Sequence, residues 1–188
     1  MALTDIDTFV KAILENRSFD HMLGYLSLPD ANGPQGLEGL QKDPNWRAAV
    51  ANPRAGHAPY PPMPVNAAEP IVDDPPHDRE SIALQISSAA AARPSMGGFV
   101  ESYLRFSKEP PADPASVMAY HDQKSVPTFD FFARNYCICD HWFAALPLGT
   151  QANRLMAMAG ESRLTDNSKL FLPDQSLVYD WLTNHNVQ

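Results

Sequence analysis

The sequence predicts an α/β fold in which helices flank a parallel sheet. Residues 6–14 (IDTFVKAIL) form a short apolar run rich in branched side chains, which is typical of a buried strand. A second apolar run at 136–139 follows a long stretch with helical patterns. Strands that alternate with helices usually pair in parallel. We expect the 188 residues to form a single domain, 1–188, since this length is enough to bury a core.

The first predicted strand is followed by a polar turn and a helix. Glu15, Asn16 and Arg17 come directly after the apolar run. Ser18 is a good N-cap, so we expect a helix over 19–26 that ends before Pro29.

A proline-rich excursion is predicted at about 29–76, where eleven of the eighteen prolines lie. Proline removes a backbone donor, so regular helix or internal strand is not expected over most of this range. A loop of this length is usually functional or disordered. The sequence leaves two interpretations open, a lid or substrate-specificity region and a tolerated insertion.

The remaining elements are recognised by their caps and apolar patterns. We predict helices over 79–92 after an Asp78 N-cap, over 96–106, and over 125–135 with Pro127 near its start. A strand is predicted at 136–139, with Cys137 and Cys139 as buried thiols that are poorly placed to bridge each other. Helices are further predicted over 151–159, closed by Gly160, and over 177–184 after a Ser176 cap.

Charge and hydropathy exclude some classes of function. The net charge is −8 and no basic run is present, which argues against nucleic acid as a partner. No apolar run reaches the length of a membrane helix, so stable membrane insertion is not expected. The first residues lack the features of a signal peptide, and a cytoplasmic location is the default expectation. An anionic substrate would need local positive charge, such as a metal ion.

Two polar clusters follow the predicted strands, where ligands bind in parallel sheets. Glu15 and Asn16 offer oxygen ligands suited to a hard cation, although a loop with a helix cap would show the same residues. Thr150 opens a helix, where it is either a nucleophile or an ordinary N-cap. Asn153 and Arg154 lie in the first turn, close to any anion bound there, as substrate-binding candidates.

Other common site patterns are missing from the sequence. The histidines do not have the spacing of a zinc site; they stand at 21, 57, 77, 121, 141 and 185. A glycine-rich phosphate loop and a Gly-x-Ser-x-Gly elbow are also absent. These absences argue against a P-loop nucleotidase and an α/β-hydrolase esterase.

Several motifs together resemble one known family. They are 14–24 (LENRSFDHMLG), 96–100 (MGGFV), 126–131 (VPTFDF), 139–143 (CDHWF) and 147–155 (PLGTQANRL). In this order they resemble the bacterial phosphoesterase family that holds non-hemolytic phospholipases C and acid phosphatase A type enzymes.

The resemblance implies an alkaline-phosphatase-like α/β fold and a set of roles. Glu15 and Asn16 would bind a divalent metal of unknown identity. Thr150 would be the nucleophile and a third metal ligand, and His77 an active-site histidine. Asn153 and Arg154 match the family's Asn-Arg pair near the nucleophile. The implied substrate is a phosphate ester.

Family members run to several hundred residues, and their remaining ligands lie in a C-terminal half that has no counterpart here. We therefore expect an α/β fold that is incomplete at the C-terminus. Two functions stay open: a metal-dependent phosphoric ester hydrolase with a threonine nucleophile, and an inactive truncated relative. The second would act by self-association or by binding a missing C-terminal half.

Overall fold

The computed structural model describes residues 8, 17–65, 74–87, 96–109, 111–167 and 174–187. The predicted first strand at 6–14 and the candidate ligands Glu15 and Asn16 lie outside these ranges. The α-helices are α1 (Phe19–Met22), α2 (Pro44–Ala49), α3 (Arg79–Ile86), α4 (Phe99–Phe106), α5 (Pro127–Asn135), α6 (Thr150–Ala159) and α7 (Val178–Asn184). Three 3₁₀ turns (Gly24–Ser27, Pro29–Ala31 and Pro114–Met118) and two strands, β1 (Met63–Pro64) and β2 (Ala119–Tyr120), complete the described elements.

The two strands form a small parallel sheet. Met63 pairs with Ala119 and Pro64 with Tyr120, and the Val65 amide extends the ladder by donating to the Tyr120 carbonyl at 2.8 Å. Helices α3 and α4 lie on the chain between the strands, as a parallel pair requires. The predicted α/β class is confirmed by this arrangement. Strand β1 itself lies in the proline-rich segment, where no strand was predicted.

Local signals set several helix ends where the sequence predicted them. Asp78 is the N-cap of α3, and its carboxylate accepts from the Ser81 hydroxyl and from the amides of Ser81 and Glu80. These three hydrogen bonds lower the pKa of Asp78. Pro127 is the first residue of α5, where its missing N–H costs nothing. Gly160 closes α6 in the left-handed region, at φ 74°.

Four expectations about local structure are wrong. The predicted helix over 19–26 is one α-turn followed by a 3₁₀ turn, because the backbone leaves helical geometry at Leu23 (φ −132°). Residues 136–139 are irregular rather than a strand, and Cys137 and Cys139 are exposed free thiols rather than buried ones. The N-cap of α7 is Leu177, not Ser176. An apolar run forms a strand only where a partner strand is available, and the described chain pairs none with 136–139.

The main core lies between α5 and the 3₁₀ turn at Gly24–Ser27. Its buried residues are Tyr25, Leu26, Val126 and Ala133. Beside them, the Tyr25 hydroxyl donates to Asp130 Oδ1 at 2.6 Å, and Arg134 Nε donates to both Asp130 oxygens at 2.8 Å. Burial alone would raise the pKa of Asp130, but these hydrogen bonds outweigh it and hold the pKa below its usual value. The core thus fixes α5 against the segment that follows α1.

The proline-rich segment is tied to helix α4 by one buried side chain. Asn52 is fully buried, and its Oδ1 accepts from the amides of Phe99 (2.6 Å) and Val100 (3.2 Å). Its Nδ2 donates to the Met96 carbonyl at 3.1 Å. Helix α4 has Gly98 at its N-cap and no side-chain cap of its own, so Asn52 supplies the missing acceptor.

None of the helices within the described ranges is both long and apolar enough to cross a membrane.

Candidate functional site

A cleft of about 930 Å³ lies between the start of α6, the start of α1 and residues 74–77. The predicted site residues Thr150, His77 and Asn153 all line it, as do Arg17 and His21. Arg154 is exposed and is not part of the lining. The structure therefore brings together most of the predicted site residues that it describes.

Thr150 is the first residue of α6 and is half-buried. The N-cap is Gly149, so the Thr150 side chain is not the helix cap, which was the alternative interpretation. The Gln151 amide donates to Asn167 Oδ1 at 2.9 Å. Within the described part of the chain, the amides of Thr150 and Ala152 have no acceptor. These N–H groups and the helix dipole favour negative charge next to the Thr150 hydroxyl.

Asn153 holds the loop that leads to Thr150. Its Nδ2 lies within hydrogen-bonding distance of three carbonyls, those of Leu146 (3.0 Å), Leu148 (2.8 Å) and Gly149 (3.2 Å). Its Oδ1 accepts from the Leu146 amide at 2.9 Å. The amide group is thus used by the backbone of the loop. The geometry supports a positioning role for Asn153 and leaves no donor for a substrate.

His77 is oriented by a backbone carbonyl. Its Nδ1 lies 2.9 Å from the Pro75 carbonyl, and Asp74 Oδ1 is 3.7 Å from the same nitrogen. A carbonyl only accepts, so Nδ1 carries the proton and Nε2 of the neutral ring keeps its lone pair. His77 can therefore accept a proton, and the Asp74 carboxylate can stabilise the cation that results.

A second histidine of the cleft was not predicted as a site residue. His21 Nδ1 lies 2.7 Å from the Ala119 carbonyl on β2, which leaves Nε2 with its lone pair, as in His77. Burial lowers the pKa of His21, and the nearby His121 and Arg17 lower it further. The His21 and His121 rings meet edge to face, with centroids 4.7 Å apart. The motif at 14–24 includes His21, but the sequence assigned it no role of its own, because the carbonyl that orients it lies 98 residues away.

The far wall of the cleft is acidic and aromatic. Asp140 Oδ2 accepts from the Glu38 amide at 2.7 Å, which lowers the pKa of Asp140. His141 Nε2 is 3.1 Å from Glu38 Oε2. Trp142 and Phe143 follow, 78% and 74% exposed. The predicted polar cluster from Asp140 to Thr150 therefore lines one continuous wall.

The residues available for a metal form only part of a site. Of the ligand set implied by the resemblance, only Thr150 belongs to the described ranges. No group of three or more His, Cys, Asp or Glu side chains within those ranges is placed to hold a metal ion. The described residues by themselves therefore do not provide a complete metal site.

Comparison with known proteins relates this chain to one family. The model of the Phosphoesterase family matches residues 6–180. Non-specific phospholipase C6 of Arabidopsis thaliana is 31% identical over 190 residues, covering 97% of this chain and 34% of the relative. Non-specific phospholipase C1 of the same plant is 30% identical over 165 residues, covering 84% and 28%. The chain thus spans about a third of the length of these relatives, which are plant proteins and not bacterial ones.

Proposed function

Since this chain belongs to the Phosphoesterase family, we propose that it carries the nucleophile part of a site that hydrolyses phosphoric esters. The observation that carries the proposal is the cleft that places Thr150, at the N-terminus of α6, together with His77, His21 and Arg17. Because the relatives are named phospholipases C, we propose a phosphodiester as the substrate.

Thr150 is the proposed nucleophile. Its hydroxyl oxygen attacks phosphorus while the leaving alcohol departs with the electron pair of the broken P–O bond. His77 accepts the hydroxyl proton at Nε2 and passes it to the leaving alcohol, which balances the step. Asp74, 3.7 Å from Nδ1, stabilises the imidazolium formed in between. The product is a phosphoryl group on Thr150.

The phosphoryl oxygens need positive charge in a chain of net charge −8. The first-turn N–H groups of α6 supply part of it, and Arg17 in the cleft supplies a full charge. A divalent metal, bound by Glu15, Asn16 and Thr150, would neutralise further charge and make the Thr150 hydroxyl easier to deprotonate. Asn153 holds the nucleophile loop, and Arg154, on the exposed side of α6, is proposed to contact substrate only at its periphery.

The test is hydrolysis of bis-p-nitrophenyl phosphate and p-nitrophenyl phosphate with added divalent cations. Thr150→Ala removes the nucleophile, so turnover should fall on the order of 10³-fold or more while the melting temperature is kept. Thr128→Ala is the matched control, because Thr128 is an exposed threonine in the first turn of α5. Full turnover in Thr150→Ala would remove this residue from its role.

A second candidate function is association without turnover. It is favoured by an exposed aromatic cluster of Phe131, Phe132 and Tyr136, whose ring centroids lie 5.5 to 6.4 Å apart and which are 54%, 56% and 69% exposed. Exposed apolar groups of this size mark interaction surfaces. Sedimentation at rising concentration tests it. Self-association that is abolished by Phe132→Ser, in a chain without turnover, would support it, and a monomer would exclude self-association.

A further inference from the structure

We propose that His21 is a second catalytic histidine of the cleft, which accepts the proton of the water that releases the phosphoryl group from Thr150. The proposal rests on the proposed function and deepens it, since it divides proton transfer between two histidines. It concerns the second half of the reaction, for which His77 has no assigned part.

The geometry of His21 is fixed from two sides. The ring donates from Nδ1 to the Ala119 carbonyl at 2.7 Å, and the His21 carbonyl accepts from the His121 amide at 2.8 Å. These bonds join α1 to β2 and to the residue that follows it. The imidazole is therefore held in one tautomer, with the lone pair on Nε2 and with the residue lining the cleft.

The charged surroundings of His21 differ from those of His77. His21 has two basic neighbours, Arg17 on its own segment and His121 after β2, whereas His77 has the Asp74 carboxylate. His121 Nδ1 is buried and has no partner in the described chain, so a proton there would lack an acceptor. The other titratable groups of the cleft are Asp20 at the start of α1 and, on the opposite walls, Glu38, Asp74, His77, Asp140 and His141.

These surroundings suit His21 to the role of base. Burial lowers the pKa of His21, and although the bond to the Ala119 carbonyl acts in the opposite direction, His121 and Arg17 add to the lowering, so the neutral ring is favoured at pH 7. A neutral ring with a free Nε2 can take a proton from water. His77, by contrast, has a carboxylate beside it, with Asp74 Oδ1 3.7 Å from its Nδ1.

In the second step, water attacks the phosphoryl group on Thr150. Water oxygen forms a bond to phosphorus, and the P–O bond to Thr150 breaks with its electron pair on the threonine oxygen. His21 Nε2 takes one proton from the water and returns it to the threonine oxygen. The products are free phosphate or phosphate monoester, the Thr150 hydroxyl and neutral His21.

Rapid-mixing kinetics with p-nitrophenyl phosphate test the assignment. In His21→Gln the first release of p-nitrophenol should remain as a burst, while steady-state turnover falls on the order of 10²-fold. One phosphoryl group per chain should then accumulate on Thr150, visible by intact mass and absent in His21→Gln/Thr150→Ala. His57→Gln is the matched control, because His57 is exposed and outside the cleft. Unchanged turnover, or loss of the burst itself, would overturn the proposal.

Histidine NMR gives a readout that needs no turnover. Long-range ¹⁵N spectra of His21 should show a protonated Nδ1 and an unprotonated Nε2 at pH 7. Addition of inorganic phosphate should shift the His21 Nε2 signal and leave His57 unchanged. A chain without turnover would refute the proposed function, and an Nε2-protonated or unresponsive His21 would separately refute this inference.

Discussion

Replacement of Asn153 by alanine should loosen the loop before Thr150 without unfolding the chain. The side chain makes contacts with three carbonyls and one amide of residues 146–149. Since Nδ2 has only two hydrogens, these contacts amount to about three full hydrogen bonds. In a folded protein each bond contributes about 1 kcal/mol net, so the free energy that holds the loop in place should fall by at most about 3 kcal/mol.

Contact with solvent makes the expected loss of loop stability smaller than this limit. Residues 144, 145 and 147 are exposed, so water can replace part of what the loop loses, and we expect a local loss of about 1.5 kcal/mol. A loss of 1.4 kcal/mol is a factor of ten in an equilibrium. The most direct reporter is the Leu146 amide, which donates to Asn153 Oδ1 at 2.9 Å.

Amide hydrogen exchange measures the local opening of the loop before Thr150. In Asn153→Ala the Leu146 amide should exchange on the order of ten times faster, while core amides such as that of Val100 keep their rates. The control is Asn135→Ala, which breaks a single side-chain bond to the Phe131 carbonyl outside the cleft. Unchanged exchange at Leu146 would show that Asn153 does not position the loop.

Two further predictions concern stability. Asp130→Ala leaves the Tyr25 hydroxyl and the Arg134 guanidinium without their buried partner, so the free energy of unfolding in urea should fall by about 3 kcal/mol; a loss under about 1 kcal/mol would contradict this. The pKa values of His21 and His121 are lowered in the folded state, so the unfolded chain binds more protons below pH 6.5 and stability should fall as pH drops from 7.5 to 5. Melting temperatures of His21→Gln should show a smaller fall over this range than wild type, and an equal fall would refute the reasoning.

Local signals made much of the helical structure predictable. Asp78, Pro127 and Gly160 act on backbone groups within a few residues of themselves, so sequence alone locates the ends they set. Thr150 was identified by the same kind of signal, its place at a helix start. The family motifs added the role of nucleophile, which local chemistry leaves undecided.

Pairings over long distances were not predictable. Strand β1 is two residues long and exists because Ala119 and Tyr120 lie beside it. His21 enters the cleft as an oriented base because of a carbonyl on β2, and neither residue type nor spacing shows that contact. The apolar run at 136–139 shows the opposite case, a local strand pattern for which the described chain supplies no partner.

The cap that Asn52 gives to α4 has a kinetic consequence. Donor and acceptor are 47 and 48 residues apart, so the amides of Phe99 and Val100 gain this acceptor only when the segment around Asn52 has docked on α4. The entropy of closing that loop must be lost before the bonds are gained. We expect α4 to consolidate late during folding and its first-turn amides to be protected after those of α5. Asn52→Ala should therefore leave the amides of Phe99 and Val100 less protected while the amides of α5 keep their protection.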